Sequence, residues 1–201
     1  HGPIFNELVT SRDGFHWLRQ GGDRPTILGQ GKLPNSWDQG MIAGLSLIRV
    51  GDELRLYYAG YDGPHDYLPF HSGIGLATLR KDGFASLDAG EGPGEVVTRR
   101  LRGTRGPLRV NYRAGAGFIR VEVLDADGKV IPGFGREDCD PLSADKVDQV
   151  VTWRGHEAWP AGADDVRLRF VMQNASLYSF MAGEDVKVID EPPGVPLQVL
   201  Y

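Results

Sequence analysis

Leu8, Thr10, Arg12, Asp13, Gly14, Phe15 and Leu18 form a phrase that returns as Leu76, Thr78, Arg80, Asp82, Gly83, Phe84 and Leu87. The two Asp-Gly-Phe cores lie 69 positions apart, from Asp13 to Asp82. Each copy reads as a strand, an Asp-Gly turn and a return strand. Glycine accepts the positive φ that such turns demand, and aspartate hydrogen-bonds to backbone amides just beyond itself. The repeat is therefore read as architecture, with Asp13, Gly14, Asp82 and Gly83 as turn residues. Units of this kind cannot bury an apolar face alone and stack on copies of themselves. Trp17 is expected to pack between such units, and Arg12 and Arg80 to form ion pairs beside the turns.

Outward from the repeat, period-two alternation recurs and no segment sustains a 3.6-residue period. Ile119, Val121 and Val123 share one face of a strand, with Arg120 and Glu122 on the other. Val166, Leu168, Phe170 and Met172 alternate with Arg167 and Arg169 in the same way. Gly51-Asp52 joins residues 46–50 to 53–58 as a two-residue hairpin turn, and Asp127-Gly128 plays that part between residues 121–125 and 130–131. Gly, Glu and Pro cluster at residues 89–94. A boundary there gives three parts: 1–94, 95–185 and an irregular tail, 186–201, which carries Pro192, Pro193 and Pro196. About seven short strands follow the boundary, at residues 96–101, 108–112, 118–124, 130–131, 147–153, 166–172 and 177–180. Their spacing predicts a β-sandwich, and the tail's Val195, Leu197, Val199, Leu200 and Tyr201 are apolar enough to pack.

Composition narrows the function classes. The chain has 201 residues with 28 glycines and 13 prolines, the turn-rich balance of an all-β protein. Its net charge of −5, with no basic block, argues against nucleic acid as a partner. No apolar run is long enough to span a bilayer as a helix. The one cysteine, Cys139, excludes an internal disulfide. Its neighbours Glu137, Asp138 and Asp140 disfavour a thiolate, so Cys139 is read as a packing residue. Asn174-Ala175-Ser176 matches a glycosylation acceptor, which would mean nothing in a bacterial protein.

A propeller holds about four to eight four-stranded blades, and residues 1–94 hold little more than one. The expected fold is thus all-β: the last blade or blades of a β-propeller followed by a β-sandwich or, if the repeat misleads, a small N-terminal sheet packed on that sandwich. Ser11-Arg12-Asp13-Gly14-Phe15-His16-Trp17 resembles the S-x-D-G-x-x-W hairpin of five-bladed-propeller glycoside hydrolases of the invertase, levanase and arabinanase type. Three stretches resemble the closing blades of their bacterial relatives: Trp37-Asp38-Gln39-Gly40-Met41, Leu56-Tyr57-Tyr58-Ala59-Gly60 with His65, and Ile74-Gly75-Leu76-Ala77-Thr78. Val121–Asp125, Ile131–Phe134, Asp138-Cys139, Trp153 and Leu177–Phe180 resemble the β-sandwich that follows such propellers. The resemblance spans residues 8–181. It implies the C-terminal part of a secreted or periplasmic enzyme that hydrolyses oligo- or polysaccharide. The preceding blades of the same protein would be its partner. In invertase-type relatives the catalytic carboxylates come from the first three blades, so no catalytic residue is assigned and this chain alone is expected to be inactive.

Glycoside hydrolysis uses two carboxylates flanking the scissile bond, and no two here can be paired by sequence. Asp38 is the leading substrate contact, because it follows Trp37 and precedes the apolar run 41–48. A ring beside an acid suits a sugar, whose C–H faces stack while its hydroxyls hydrogen-bond. The competing reading is an Asp that holds a turn. Tyr58, Asp62 and His65 join the set, since residues 61–67 are rich in polar and aromatic groups and follow a strong strand. No second His or Cys stands at ligand spacing to His65, so neither a metal nor another cofactor is expected. Glu137, Asp138, Asp140 and Asp145 are read as a solvated loop rather than a calcium site. The alternative function is a non-catalytic carbohydrate-binding or structural β-sandwich module.

Overall fold

Branched and aromatic residues alternating with polar ones favour pleated backbone, and Gly or Asp breaks each run. In the computed structural model every regular element among the described residues is a β-strand, as the composition requires. The structure describes residues 2–11, 13–19, 26–32, 34–66, 68–157, 159–160, 163–184, 186–189 and 199–200. Arg12, Tyr67, Pro192, Pro193, Val195, Pro196, Leu197 and Tyr201 lie outside them. The chain divides into two units, His1–Phe84 and Ala85–Tyr201.

In the first unit, β1 (Asn6–Glu7) pairs with β4 (Thr26–Leu28), and β2 (Val9–Ser11) with β3 (Trp17–Arg19). A meander follows: β5 (Met41–Val50), β6 (Glu53–Tyr61) and β7 (Ser72–Arg80). Gly51 at φ 61° makes the β5–β6 turn, the first-position glycine that a tight hairpin favours. Gly44 at φ 62° lies where the β5–β6 register shifts between Ala43 and Ser46, a bulge that only a residue tolerant of positive φ makes cheaply.

The first Asp-Gly-Phe copy is the hairpin its sequence describes. The Asp13 carboxylate accepts from the amides of Phe15 at 2.9 Å and His16 at 2.8 Å, and from the Ser11 hydroxyl at 3.1 Å. The His16 imidazole, 2.6 Å from Oδ2, and then these amides hold the Asp13 carboxyl well below its ordinary range. The second copy departs from the expectation. Asp82 does take positive φ, at 53°, and the Gly83 amide bonds back to Arg80. Yet the following strand, β8 (Leu87–Ala89), does not return onto β7; it pairs with Ala175–Leu177 of the second unit. Trp17 departs too. It is 60 % exposed, because β2 and β3 form a two-stranded ribbon with nothing over that ring among the described residues.

The second unit has two antiparallel sheets. One is ordered β16 (Lys187–Val188), β10 (Leu101–Arg102), β14 (Asp165–Gln173), β9 (Gly94–Val97), β17 (Val199–Leu200), with β12 (Phe118–Leu124) on the other edge of β14. The other is ordered β13 (Asp145–Val150), β11 (Arg109–Arg113), β15 (Ala175–Met181), β8. The single strand read at 96–101 is broken into β9 and β10, both bonded to β14. Alternation then does the packing. Val121 lies opposite Phe170, Val123 opposite Leu168 and Ile119 opposite Met172. All six, with Val110, Tyr112 and Leu177 from the second sheet, enter one buried cluster. On the reverse face Glu122 lies opposite Arg169 and bonds it at 2.8 Å.

Cys139 sits in that core, its Sγ accepting from the Val121 amide at 3.1 Å, and burial pushes its thiol up to about 11. The acidic loop is spent locally. Asp140 accepts from the Thr152 hydroxyl at 2.5 Å and the Gly155 amide at 2.9 Å, while Asp138 accepts from the Gly135 amide and pairs with Arg154. Phe170 is fully buried at the centre of the longest strand of this unit. Phe170→Ala is expected to destabilise the protein by about 3–5 kcal/mol, the range for emptying an aromatic site. Urea unfolding followed by tryptophan fluorescence measures it; a loss under about 1 kcal/mol would show that these sheets do not share a close-packed core.

Candidate functional site

The β6–β7 register decides where the site forms. Tyr58 lies opposite Gly75, and Gly60 opposite Gly73. Residues directly opposite in an antiparallel pair project from the same face, as do residues two apart along a strand. Tyr58, Gly60, Gly73 and Gly75 therefore share a face, and three of the four positions lack a side chain. On that bare backbone lie two rings. A Cβ at Gly60 would come 2.5 Å from Cζ3 of Trp37, and one at Gly73 would come 3.2 Å from the same ring. A Cβ at Gly75 would overlap the Tyr58 ring. The Trp37 and Tyr58 rings are stacked, with centroids 5.7 Å apart and planes 21° from parallel.

Asp38 closes the edge of this shelf. The Tyr58 hydroxyl donates to Asp38 Oδ2 at 2.9 Å. The other carboxylate oxygen accepts no hydrogen bond among the described residues, and an ionised carboxylate has about four acceptor sites. Burial and the Asp38 carboxylate together raise the Tyr58 phenol above its ordinary pKa, so it remains a donor across the neutral range. The segment that delivers Trp37 and Asp38 is pinned to β6. The Gly40 amide donates to Tyr61 O at 2.8 Å, and the Gln39 amide folds back onto Ser36 O at 3.2 Å. Gln30 Nε2 donates to Gly40 O at 2.7 Å, and Asn35 at φ 64° completes the turn. Trp37 is 44 % exposed, so one side of the shelf stays open to solvent.

Of the five residues expected to meet substrate, the structure brings Trp37, Asp38 and Tyr58 together. Asp62 is nearby in the chain but bonds elsewhere. Its Oδ1 accepts from the His71 amide at 2.8 Å, and its Oδ2 lies 2.8 Å from His71 Nδ1. The His71 ring is the main cause of the lowered Asp62 pKa. His65 is exposed and makes no hydrogen bond among the described residues. Sequence reading missed His71. The signal was available in the β6–β7 pairing, because two residues beyond the Gly60–Gly73 pair stand Asp62 and His71.

Packed on bare backbone, the shelf has no slack beneath it. Gly60→Ala and Gly75→Ala are each expected to displace their ring and to weaken the Tyr58–Asp38 bond. The measurement is near-ultraviolet circular dichroism with the ultraviolet titration of Tyr58. Loss of the aromatic signal and a Tyr58 pKa returning toward 10.0, its ordinary value, are expected. Spectra unchanged in both variants would mean the rings do not rest on these glycines.

Comparison with protein-family models, with curated proteins and with solved structures yields no match for this chain.

Proposed function

We propose that the first unit carries a carbohydrate-contacting surface on a propeller-blade sheet, within a secreted or periplasmic glycoside-hydrolase-like protein acting on oligo- or polysaccharide. The second unit, in this reading, is the β-sandwich that follows the propeller. The observation that carries the proposal is the shelf of Trp37 and Tyr58, laid on glycine backbone and bordered by the Asp38 carboxylate. Aromatic rings offer a broad apolar face with a fixed orientation, and the phenol and carboxylate supply polar contacts at its rim. That combination fits a ligand with one apolar face and a ring of hydroxyls.

The opposite face of the meander supports the blade reading. Ile48, Tyr57 and Leu76 are 49 %, 37 % and 52 % exposed, and Ile74 is 84 % exposed. Tyr57 lies opposite Leu76, and Ile74 follows two residues along, so they form one apolar strip. A neighbouring blade of the same protein would cover such a strip. Hydrolysis by the two-carboxylate route then draws its catalytic pair from those neighbouring blades, and Asp38 and Tyr58 bind rather than cleave. A non-catalytic binding module is the second reading, favoured by the buried core that the second unit assembles for itself.

Isothermal titration with fructo-oligosaccharides and arabino-oligosaccharides tests the proposal. Binding by the chain, weakened about tenfold or more by Trp37→Ala, is expected. Binding that is indifferent to Trp37→Ala would move recognition off the shelf and favour the module reading. Absence of binding to both sugar classes would remove the carbohydrate function.

A further inference from the structure

The Asp62–His71 pair continues the shelf. The β6–β7 ladder extends one step past the strands, with the Asp62 amide donating to His71 O at 3.2 Å. Asp62 stands two residues beyond Gly60, and His71 two residues before Gly73. By alternation both side chains leave the sheet on the face that carries Trp37 and Tyr58. Two residues of strand advance about 7 Å. On that face Trp37 and Asp38 both lie over the Gly60 position, and the imidazole of His71 follows one ladder step beyond.

The two oxygens of Asp62 do separate things. Oδ1 takes the His71 amide and so closes the connection between β6 and β7. Oδ2 holds the imidazole through Nδ1. Closing the connection does not require that second bond, and the His71 side chain is 90 % exposed, so the held ring buries almost nothing. An ionised carboxylate only accepts, which makes Nδ1 the donor; whenever the ring is neutral, Nε2 is then its acceptor. An exposed side chain fixed in one tautomer and one direction is suited to contact a ligand. Asp13 and His16 form a similar pair, with Nδ1 2.6 Å from Oδ2 and the His16 side chain also 90 % exposed. That pair stands on the β2–β3 ribbon, whose strands are not hydrogen-bonded to the meander that carries the shelf.

We propose that Nε2 of His71 accepts a hydrogen bond from a hydroxyl of the saccharide stacked on Trp37, with Asp62 as the positioning residue that sets its tautomer. This rests on the carbohydrate reading of the shelf. The site would then grip its ligand at two polar points beside the ring platform, Asp38 and His71.

The test uses the full chain with arabino-oligosaccharide and fructo-oligosaccharide as probes. Binding is followed by calorimetry, and the histidine ring nitrogens by long-range proton–nitrogen correlation spectra. In the free protein His71 is expected as the Nδ1-protonated tautomer, with its Nε2 resonance moving on addition of the probe. His71→Ala is expected to raise Kd about tenfold, and His16→Ala to leave it within about twofold. Asp62→Ala should mix the His71 tautomers and raise Kd about threefold; tautomers that mix while Kd holds would mean that Asp62 only closes the connection between β6 and β7. If Trp37→Ala weakens binding but His71→Ala does not, and the His71 resonances stay still, the inference falls while the shelf stands. If Trp37→Ala has no effect, or neither probe binds, both fall together.

Discussion

The opposition of Gly60 and Gly73 across β6 and β7, with Gly75 two residues along, leaves a patch of sheet with no side chains of its own. A sheet face so denuded has to be covered or left as wet backbone between hydrophobic neighbours. Here Trp37 covers it, with Tyr58 beside, and the fit is close enough that a single methyl group at any of the three positions would meet a ring. The other parts of the site depend on that constraint. Tyr58 is aimed at Asp38 because its ring lies flat over Gly75. Asp38 is delivered because its neighbour in the chain fills the gap. The polypeptide between residues 30 and 40 is turned and pinned to make the delivery.

The second unit obeys a different economy. Its central strand, β14, carries hydrogen bonds on both edges and alternates Val166, Leu168, Phe170 and Met172 inward. Its outward arginines do not dangle. Arg169 meets Glu122 directly opposite, and Arg136 reaches Glu95 at 2.7 Å. Trp153 Nε1 donates to Val121 O at 2.9 Å, so this buried ring keeps its one polar atom satisfied. Asp138, Asp140 and Asp145 are paired or cap backbone amides. The first unit differs in that glycines open a face and aromatic and acidic side chains occupy it.

Local rules were legible wherever neighbours in sequence are neighbours in space. The Asp13 turn, the Gly51 hairpin and the inward faces of β12 and β14 all follow from turn chemistry and period-two alternation. Trp37, Asp38 and Tyr58 could be picked out as residue types suited to a sugar, and they do converge. Non-local pairing was not legible. Asp82-Gly83-Phe84 repeats the first turn, yet Leu87–Ala89 goes to β15, because the pairing of a three-residue strand is decided by which edge is open. Asp62 was set beside His65 by proximity in sequence, whereas the register of β6 and β7 gives it His71. Trp17 carries the signature of a packed ring and stands exposed, since the signature describes the ring and not what covers it.

A saccharide bound as proposed would lie flat on Trp37. Saturation-transfer difference NMR reads this directly, with irradiation of the aromatic protons of the protein and arabino- or fructo-oligosaccharide in excess. The account predicts transfer strongest to the ring C–H protons on one face of a single sugar unit, and its disappearance in Trp37→Ala. Uniform transfer along the oligosaccharide, or transfer that persists in Trp37→Ala, would contradict it.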